Sequence, residues 1–251
     1  MSHASAETGT SLSALAASVR SLHIHDASPT LSSELPVFFM YKSPEITPTY
    51  VHAEGGAAAN TLVMAEHVGT HVDAPFHFDP KGKTVDQLAA DELLLRPYKK
   101  FDLTTNDHQP GDLVELEHLV AASERGGFGL EDGDIAVLEF GWDRYLPGGS
   151  DARPDGWWGR NQPGLSDEAG RYLASAGITA VACDTAACDV ATRDGQILAG
   201  HGHAEHFLPN GILIVEGLKG LAQVPVTGLF LALPLKIAGG TGSPLRVLLL
   251  S

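Results

Sequence analysis

Apolar positions along this chain follow two rhythms, a helical spacing of three and four and short unbroken apolar runs, and together they predict a mixed α/β fold. Leu12, Leu15, Val19 and Leu22 lie on one helical stripe, which predicts a short N-terminal helix over residues 11–22, docked on a partner subunit. The runs 134–140 (DIAVLEF), 178–183 (ITAVAC) and 212–215 are dense in β-branched and other apolar residues and predict buried strands. Leu62–Met64 predicts a further strand, leading into a rigid extended segment. Ser166 is an N-cap candidate, Asp167 and Glu168 suit a first helical turn and Gly177 suits a C-terminal stop, so a helix is expected between them. The apolar spacing of Val85–Leu95 is also helical, after a turn at residues 80–83. Pro36, Pro44 and Pro48 break Leu35–Val51 into extended segments and turns. The stretch from Gly141 to Pro163, rich in Gly, Pro and Trp, is too long for a simple connection and suits either a lid or a packed surface loop.

Length and charge narrow the picture. The 251 residues suit one domain, with residues 1–20 expected as a helical N-terminal extension and 21–251 as the domain itself. A formal net charge of −15 argues against nucleic acid or an anionic membrane surface as a partner, since both require clustered Lys and Arg. The first twenty residues lack the basic start and apolar core of a secretory signal, so a cytoplasmic location is expected. Cys183 and Cys188 are too few for a disulfide framework and are expected as buried reduced thiols.

Chemistry concentrates in Glu66–Phe78, EHVGTHVDAPFHF, where His67, His71, Asp73 and His77 all occupy odd positions. Gly69 and Pro75 oppose a continuous helix, and on an extended backbone residues of equal parity share a face, so these four groups should converge. Two imidazoles and a carboxylate in seven residues match the preferences of zinc, manganese or ferrous iron. A second cluster, His201, His203 and His206, precedes the strand that ends in Glu216, and a carboxylate after a buried apolar run needs a cation or a hydrogen-bonding partner. Should the windows meet, their ligands suffice for one fully held ion, or for two sharing Asp73. Phe38, Phe39, Tyr41, Trp142 and Phe207 offer aromatic surface, as pocket wall or as core.

The run His67, Gly69, Thr70, His71, Asp73, Pro75, His77 resembles the HxGTHxDxPxH motif of the cyclase family, to which bacterial kynurenine formamidase and isatin hydrolase belong. The resemblance extends through Pro163–Ser166, the Asp184, Thr185 and Asp189 pattern, Gly211–Glu216 and the run PLKIAGGTGSP from Pro234. It implies a swivelling β/β/α-type α/β fold, one domain of mixed sheets and flanking helices, assembled as a homodimer or homotetramer. It further implies one or two divalent ions, Zn or Mn, held by His67, His71, Asp73 and Glu216, with His77 as the catalytic acid or base. The sequence departs from the family pattern at Ala204, where another metal-binding His is usual, and at Ala187, where Ser is frequent. A one-residue shift lets His203 replace the missing ligand, and with about 100° per helical residue His206 lies further round as the alternative.

The expected reaction is hydrolysis of a C–N bond in a small carbonyl substrate, an aryl formamide or a cyclic amide or imide. His77, near its natural titration range, would move the proton. The alternatives are metal-assisted lactone hydrolysis, ring closure or elimination at the same site, and a protein that binds metal or ligand without catalysis.

Overall fold

The computed structural model describes residues 11–154, 156–193, 196–198 and 200–251. Helix α1 (Leu12–Ser21) starts where expected, because the Ser11 side chain accepts the Ala14 N–H at 3.1 Å. None of its residues is buried, and Leu12 and Leu15 face solvent. Residues 1–10 of the expected N-terminal extension lie outside the described residues.

One nine-stranded mixed sheet curls through the domain. Its strands are β1 (Ile24–Asp26), β2 (His71–Asp73), β3 (Leu94–Asp102), β4 (Ile135–Glu139), β5 (Ala180–Cys183), β6 (Leu213–Glu216), β7 (Thr227–Leu231), β8 (Gly242–Pro244) and β9 (Leu248–Leu250), in the spatial order β1-β9-β7-β3-β4-β5-β6-β2-β8. The four central strands β3, β4, β5 and β6 run parallel, and the outer ones pair antiparallel. Strands β4, β5 and β6 are the three apolar runs recognised in the sequence. Both of their faces are covered, which is why they read as continuous rather than alternating.

One face carries Ala136, Leu138, Val181 and Ile214 and is covered by helices α2 (Leu116–Gly126) and α3 (Asp167–Ser175) through Leu119, Ala122, Ala169 and Leu173. The other carries Ile135, Val137, Ala182, Val215 and Val72 and closes on Tyr98, Phe230 and Leu249. The fold is thus a mixed α/β single domain, as expected. Helix α3 begins at Ser166, which accepts the Ala169 N–H at 3.3 Å.

Two expectations need correction, and of the two readings of residues 141–163 the packed loop holds. Val85–Leu95 is not a helix: only Val85–Gln87 makes a 3-10 turn, and from Leu94 the chain is strand β3. Leu95 has φ +53, which no right-handed helix accommodates, while Val85 and Leu93 reach the core from the turn and the loop instead. The extended run 67–77 is strand only over His71–Asp73, followed by a 3-10 turn at Pro75–His77. The segment 141–163 is no open lid: Trp142, Leu146 and Trp158 are buried in the core, and the Trp142 indole N–H donates to the Trp158 carbonyl at 2.9 Å. Leu35–Val51 is extended as expected, and Glu45–Tyr50 pairs with Ala59–Val63 as an exposed hairpin. Among the described residues no helix is long and apolar enough to cross a membrane.

Candidate functional site

Register builds the site. Strands β2 and β6 are antiparallel neighbours with Glu216 opposite His71 and Ile214 opposite Asp73. Val72 and Val215, directly paired between them, point into the core. Parity therefore sends His71, Asp73 and Glu216 to one side, at the carboxyl end of β6. His67 joins them across a turn in which Gly69 takes φ +72, a conformation that disfavours a side chain. Gly242 lets His67 approach β8, because a Cβ there would lie 2.5 Å from the imidazole Cε1. His77 arrives from the 3-10 turn and stacks on His67 with ring centroids 3.9 Å apart.

The second His window does meet the first. Gly202–His206 forms a π turn, closed by the Phe207 N–H donating to the Gly202 carbonyl at 2.8 Å. Its His203 is buried, with Nε2 at 3.3 Å from Asp73 Oδ2 and at 3.3 Å from Glu216 Oε1. The wider turn replaces the α-helical arithmetic applied to this segment, and an extra residue per turn is how such segments re-aim one side chain. His206 points away and bonds Asp167 Oδ1 at 2.7 Å, and His201 bonds Glu205 at 2.9 Å, so neither reaches the cluster.

The three imidazoles that face Asp73, those of His67, His71 and His203, are anchored from behind. His71 Nδ1–H donates to the Gly69 carbonyl at 2.9 Å, and His203 Nδ1–H donates to Asp189 Oδ2 at 2.7 Å, so each presents Nε2 to the centre. Thr241 donates its hydroxyl to Glu66 Oε2 at 2.7 Å and therefore accepts from His67 Nε2–H at 2.7 Å, leaving His67 Nδ1 facing Asp73 Oδ1 at 2.6 Å. His71 Nε2 lies 3.4 Å from Asp73 Oδ1 and 3.4 Å from Glu216 Oε2.

Three nitrogen lone pairs are thus aimed at two buried carboxylates, an arrangement that repels unless protons or a cation fill it. Ligand bonds of about 2.0–2.1 Å place donor atoms roughly 3 Å apart, so the spacing fits a zinc-sized or manganese-sized ion. Asp73 turns Oδ1 to His67 and His71 and Oδ2 to His203, the two-sided disposition a bridging carboxylate needs. Without a cation the proton balance reflects the same crowding. Burial would lower His71, but its bonds to Asp73 and Glu216 push it up to about 10. Burial would raise Asp73, yet the three imidazoles hold it well below the usual carboxylate range.

His77 behaves differently. Burial lowers it to about 4, against the partial pull of Asp73, so it does not titrate in the ordinary histidine range as expected and is neutral at pH 7. Among the described residues its ring nitrogens have no hydrogen-bond partner, and the ring lines the cleft beside Phe78, Phe38 and Tyr41. Tyr41 also stacks on His67, at 6.0 Å between centroids and 16° between planes. Of the other aromatic candidates, Trp142 and Phe207 are core, and Phe39 lies under the Arg160 guanidinium.

Sequence reasoning assigned no role to Glu66, Thr241, Asp189 or Gln162. Asp189 accepts from both the backbone and the ring of His203. Gln162 donates to the carbonyls of Ala187 and Asp189 and accepts the Ala186 N–H, fixing the loop that carries Asp189. Asp184 turns out to be structural: it accepts the N–H groups of Phe140 and Trp142 at 2.9 Å each. Cys183 and Cys188 are buried free thiols, as expected, and the Cys188 backbone N–H donates to Glu216 Oε1 at 3.1 Å.

The chain is similar to several known proteins. The family model described as Cyclase matches residues 22–190. A kynurenine formamidase from Salinibacter ruber is 31% identical over 197 residues, 78% of this chain and 81% of that protein. The solved structure of isatin hydrolase A from Ralstonia solanacearum superposes with a TM-score of 0.83 at 27% identity, over 98% of this chain and 99% of that one. A structure from Bacillus stearothermophilus, described as a predicted metal-dependent hydrolase, gives a TM-score of 0.68 at 26% identity over 92% of this chain and 98% of that one. With two thirds of its length matched by the family model, the chain belongs to the Cyclase family.

Proposed function

We propose that the protein is a metal-dependent hydrolase that cleaves the C–N bond of a small aryl formamide or cyclic amide or imide. The observation that carries this reading is the set of three back-anchored imidazoles directed at Asp73 and Glu216. In the proposal His67, His71, Asp73, His203 and Glu216 hold one or two divalent ions, Zn or Mn, with Asp73 as the bridge in the two-ion case. A cation bound there supplies Lewis acidity, polarising the scissile carbonyl and bringing the pKa of water towards neutrality.

The protein's own groups supply the rest. His77, neutral and without a hydrogen-bond partner among the described residues, accepts a proton at a ring nitrogen and returns it to the leaving nitrogen. Its stack on His67 fixes the ring plane, so the accepting nitrogen stays over the cleft. Phe38, Tyr41 and Phe78 form an apolar wall that suits a flat aromatic substrate and excludes water. The names of the relatives, kynurenine formamidase and isatin hydrolase, favour this substrate class.

The test is a product-resolved screen of metal-replete protein against aryl formamides, cyclic imides and lactones. Turnover of the first two classes well above lactones supports the reading, whereas turnover of lactones alone favours the same site acting on C–O bonds. Homo-oligomeric assembly in the cytoplasm belongs to the same proposal: Leu12 and Leu15 of α1 and Ile46, Tyr50, Leu62 and Val63 of the hairpin are exposed apolar side chains that no other described element covers. Light scattering on the eluting protein measures it, with a dimer or tetramer mass expected and a monomer mass contradicting it.

A further inference from the structure

A second group of ligand-type side chains lies on the outer side of the π turn, away from the cleft. His206 Nε2 sits 2.7 Å from Asp167 Oδ1, and His201 Nδ1 sits 2.9 Å from Glu205 Oε1. Ligand atoms of Asp167, Glu205 and His206 all fall within 4.8 Å of one another. His201 adds a fourth donor through its contact with Glu205.

Three features make this more than a chance meeting of exposed charges. Its donors come from two separate elements, the π turn and the first residue of α3, so an ion there would link them. The backbone at both central positions is held, because the Asn210 side chain donates to the carbonyls of Glu205 and His206 at 3.1 and 3.0 Å. His206 itself is packed rather than free: a Cβ on Gly170 would meet its ring at 3.1 Å, so its Nε2 has a fixed aim. Arg171 pairs with the far oxygen of Asp167, which leaves Oδ1 for the cluster.

We propose that His201, Glu205, His206 and Asp167 form a surface site for a borderline cation of the Zn2+ class, distinct from the central cluster. Two imidazoles and two carboxylates match zinc, and a tetrahedral ion with bonds of about 2.0–2.1 Å places its donors about 3.3 Å apart, within the 4.8 Å that spans the ligand atoms of Asp167, Glu205 and His206, with His201 beside them through Glu205. His201 and Glu205 are exposed side chains that must turn to close the shell, the ion replacing the His201–Glu205 and His206–Asp167 hydrogen bonds. Bound there, it clamps the segment carrying His203 to the start of α3.

The experiment is equilibrium dialysis against ZnCl2 with elemental analysis of wild type, the double variant His201→Ala/His206→Ala and the single variant His71→Ala. The double variant should bind one equivalent less than wild type, and His71→Ala should retain that surface equivalent while its central binding falls. The wild-type-minus-double difference does not depend on how many ions the centre holds, so loss of the central reading and loss of this one are distinguishable. Equal stoichiometry in wild type and a double variant with unchanged circular dichroism would overturn the proposal. Should the double variant not fold, Glu205→Gln replaces it: at least a tenfold weaker surface Zn2+ affinity is expected, and unchanged affinity overturns the proposal equally.

Discussion

Asp189 holds His203 twice, its Oδ2 accepting the His203 backbone N–H at 3.0 Å and the ring Nδ1–H at 2.7 Å. One carboxylate thus sets both the path of the π turn and the tautomer that exposes Nε2 to Asp73 and Glu216. The Gly202 N–H donates to its other oxygen at 3.0 Å, so the whole start of the turn is organised around this side chain.

Replacing Asp189 by Asn keeps the size but offers one acceptor where the turn uses two oxygens and a charge. Metal affinity measured by competition with a chromophoric chelator should fall about 10- to 100-fold, with activity falling alongside it at limiting metal. Unchanged affinity would show that Asp189 does not position His203.

His77 and Asp73 should part company under mutation. His77→Ala should keep its metal and lose turnover by about 10²- to 10⁴-fold, since only proton transfer is removed. Asp73→Ala should lose both, because all three imidazoles face its carboxylate. Elemental analysis and initial rates on the same preparations separate the cases.

Lys100 and Glu139 form a buried ion pair, Nζ donating to Oε2 at 2.6 Å and to the Leu221 carbonyl at 2.8 Å. Lys100→Met strands Glu139, whose carboxyl burial already pushes up. Urea unfolding should show a loss of about 3–5 kcal/mol, largely recovered in Lys100→Met/Glu139→Leu, where no charge remains buried.

Asp184 supplies a pH signature away from the site. Burial and the nearby Asp143 raise its carboxyl to about 8, against the two backbone N–H groups it accepts. A folded value above the unfolded 3.8 means that the native state binds the proton more tightly. The associated stability is fully present below about pH 4 and is lost as pH rises through about 8. Wild type should therefore lose stability between pH 5 and 8 relative to Asp184→Asn, with a slope difference of up to about 1.4 kcal/mol per pH unit. Parallel stability–pH curves in the two proteins would show that Asp184 stays ionised throughout.

Strands β4, β5 and β6 were legible because burial on both faces writes itself as unbroken apolar runs. Strand β3 was not, since it carries Arg96, Pro97, Lys99 and Lys100. Pro97 pairs with Leu229 without an N–H to give, and Lys100 is buried only because Glu139, on the neighbouring strand, receives it. No local pattern reports a partner 39 residues away. Within the site, the spacing of His67, His71 and Asp73 was readable because those residues lie in one short segment. Thr241, which fixes the orientation of His67 from 174 residues away, leaves no trace near it. His203 was preferred over His206 because it lies one residue from Ala204, where the family resemblance implies a ligand, and the π turn that aims His203 had no signature in the run GHGHAEH.

In the proposed function the anchored imidazoles and two carboxylates hold a catalytic cation. The most direct test is to strip the protein with a chelator, assay it on an aryl formamide, and then restore Mn2+ or Zn2+ stoichiometrically. The stripped protein should lose turnover and recover it on readdition, and His71→Ala should show no recovery. Full turnover by stripped protein whose metal content is verified as nil would contradict the proposed function.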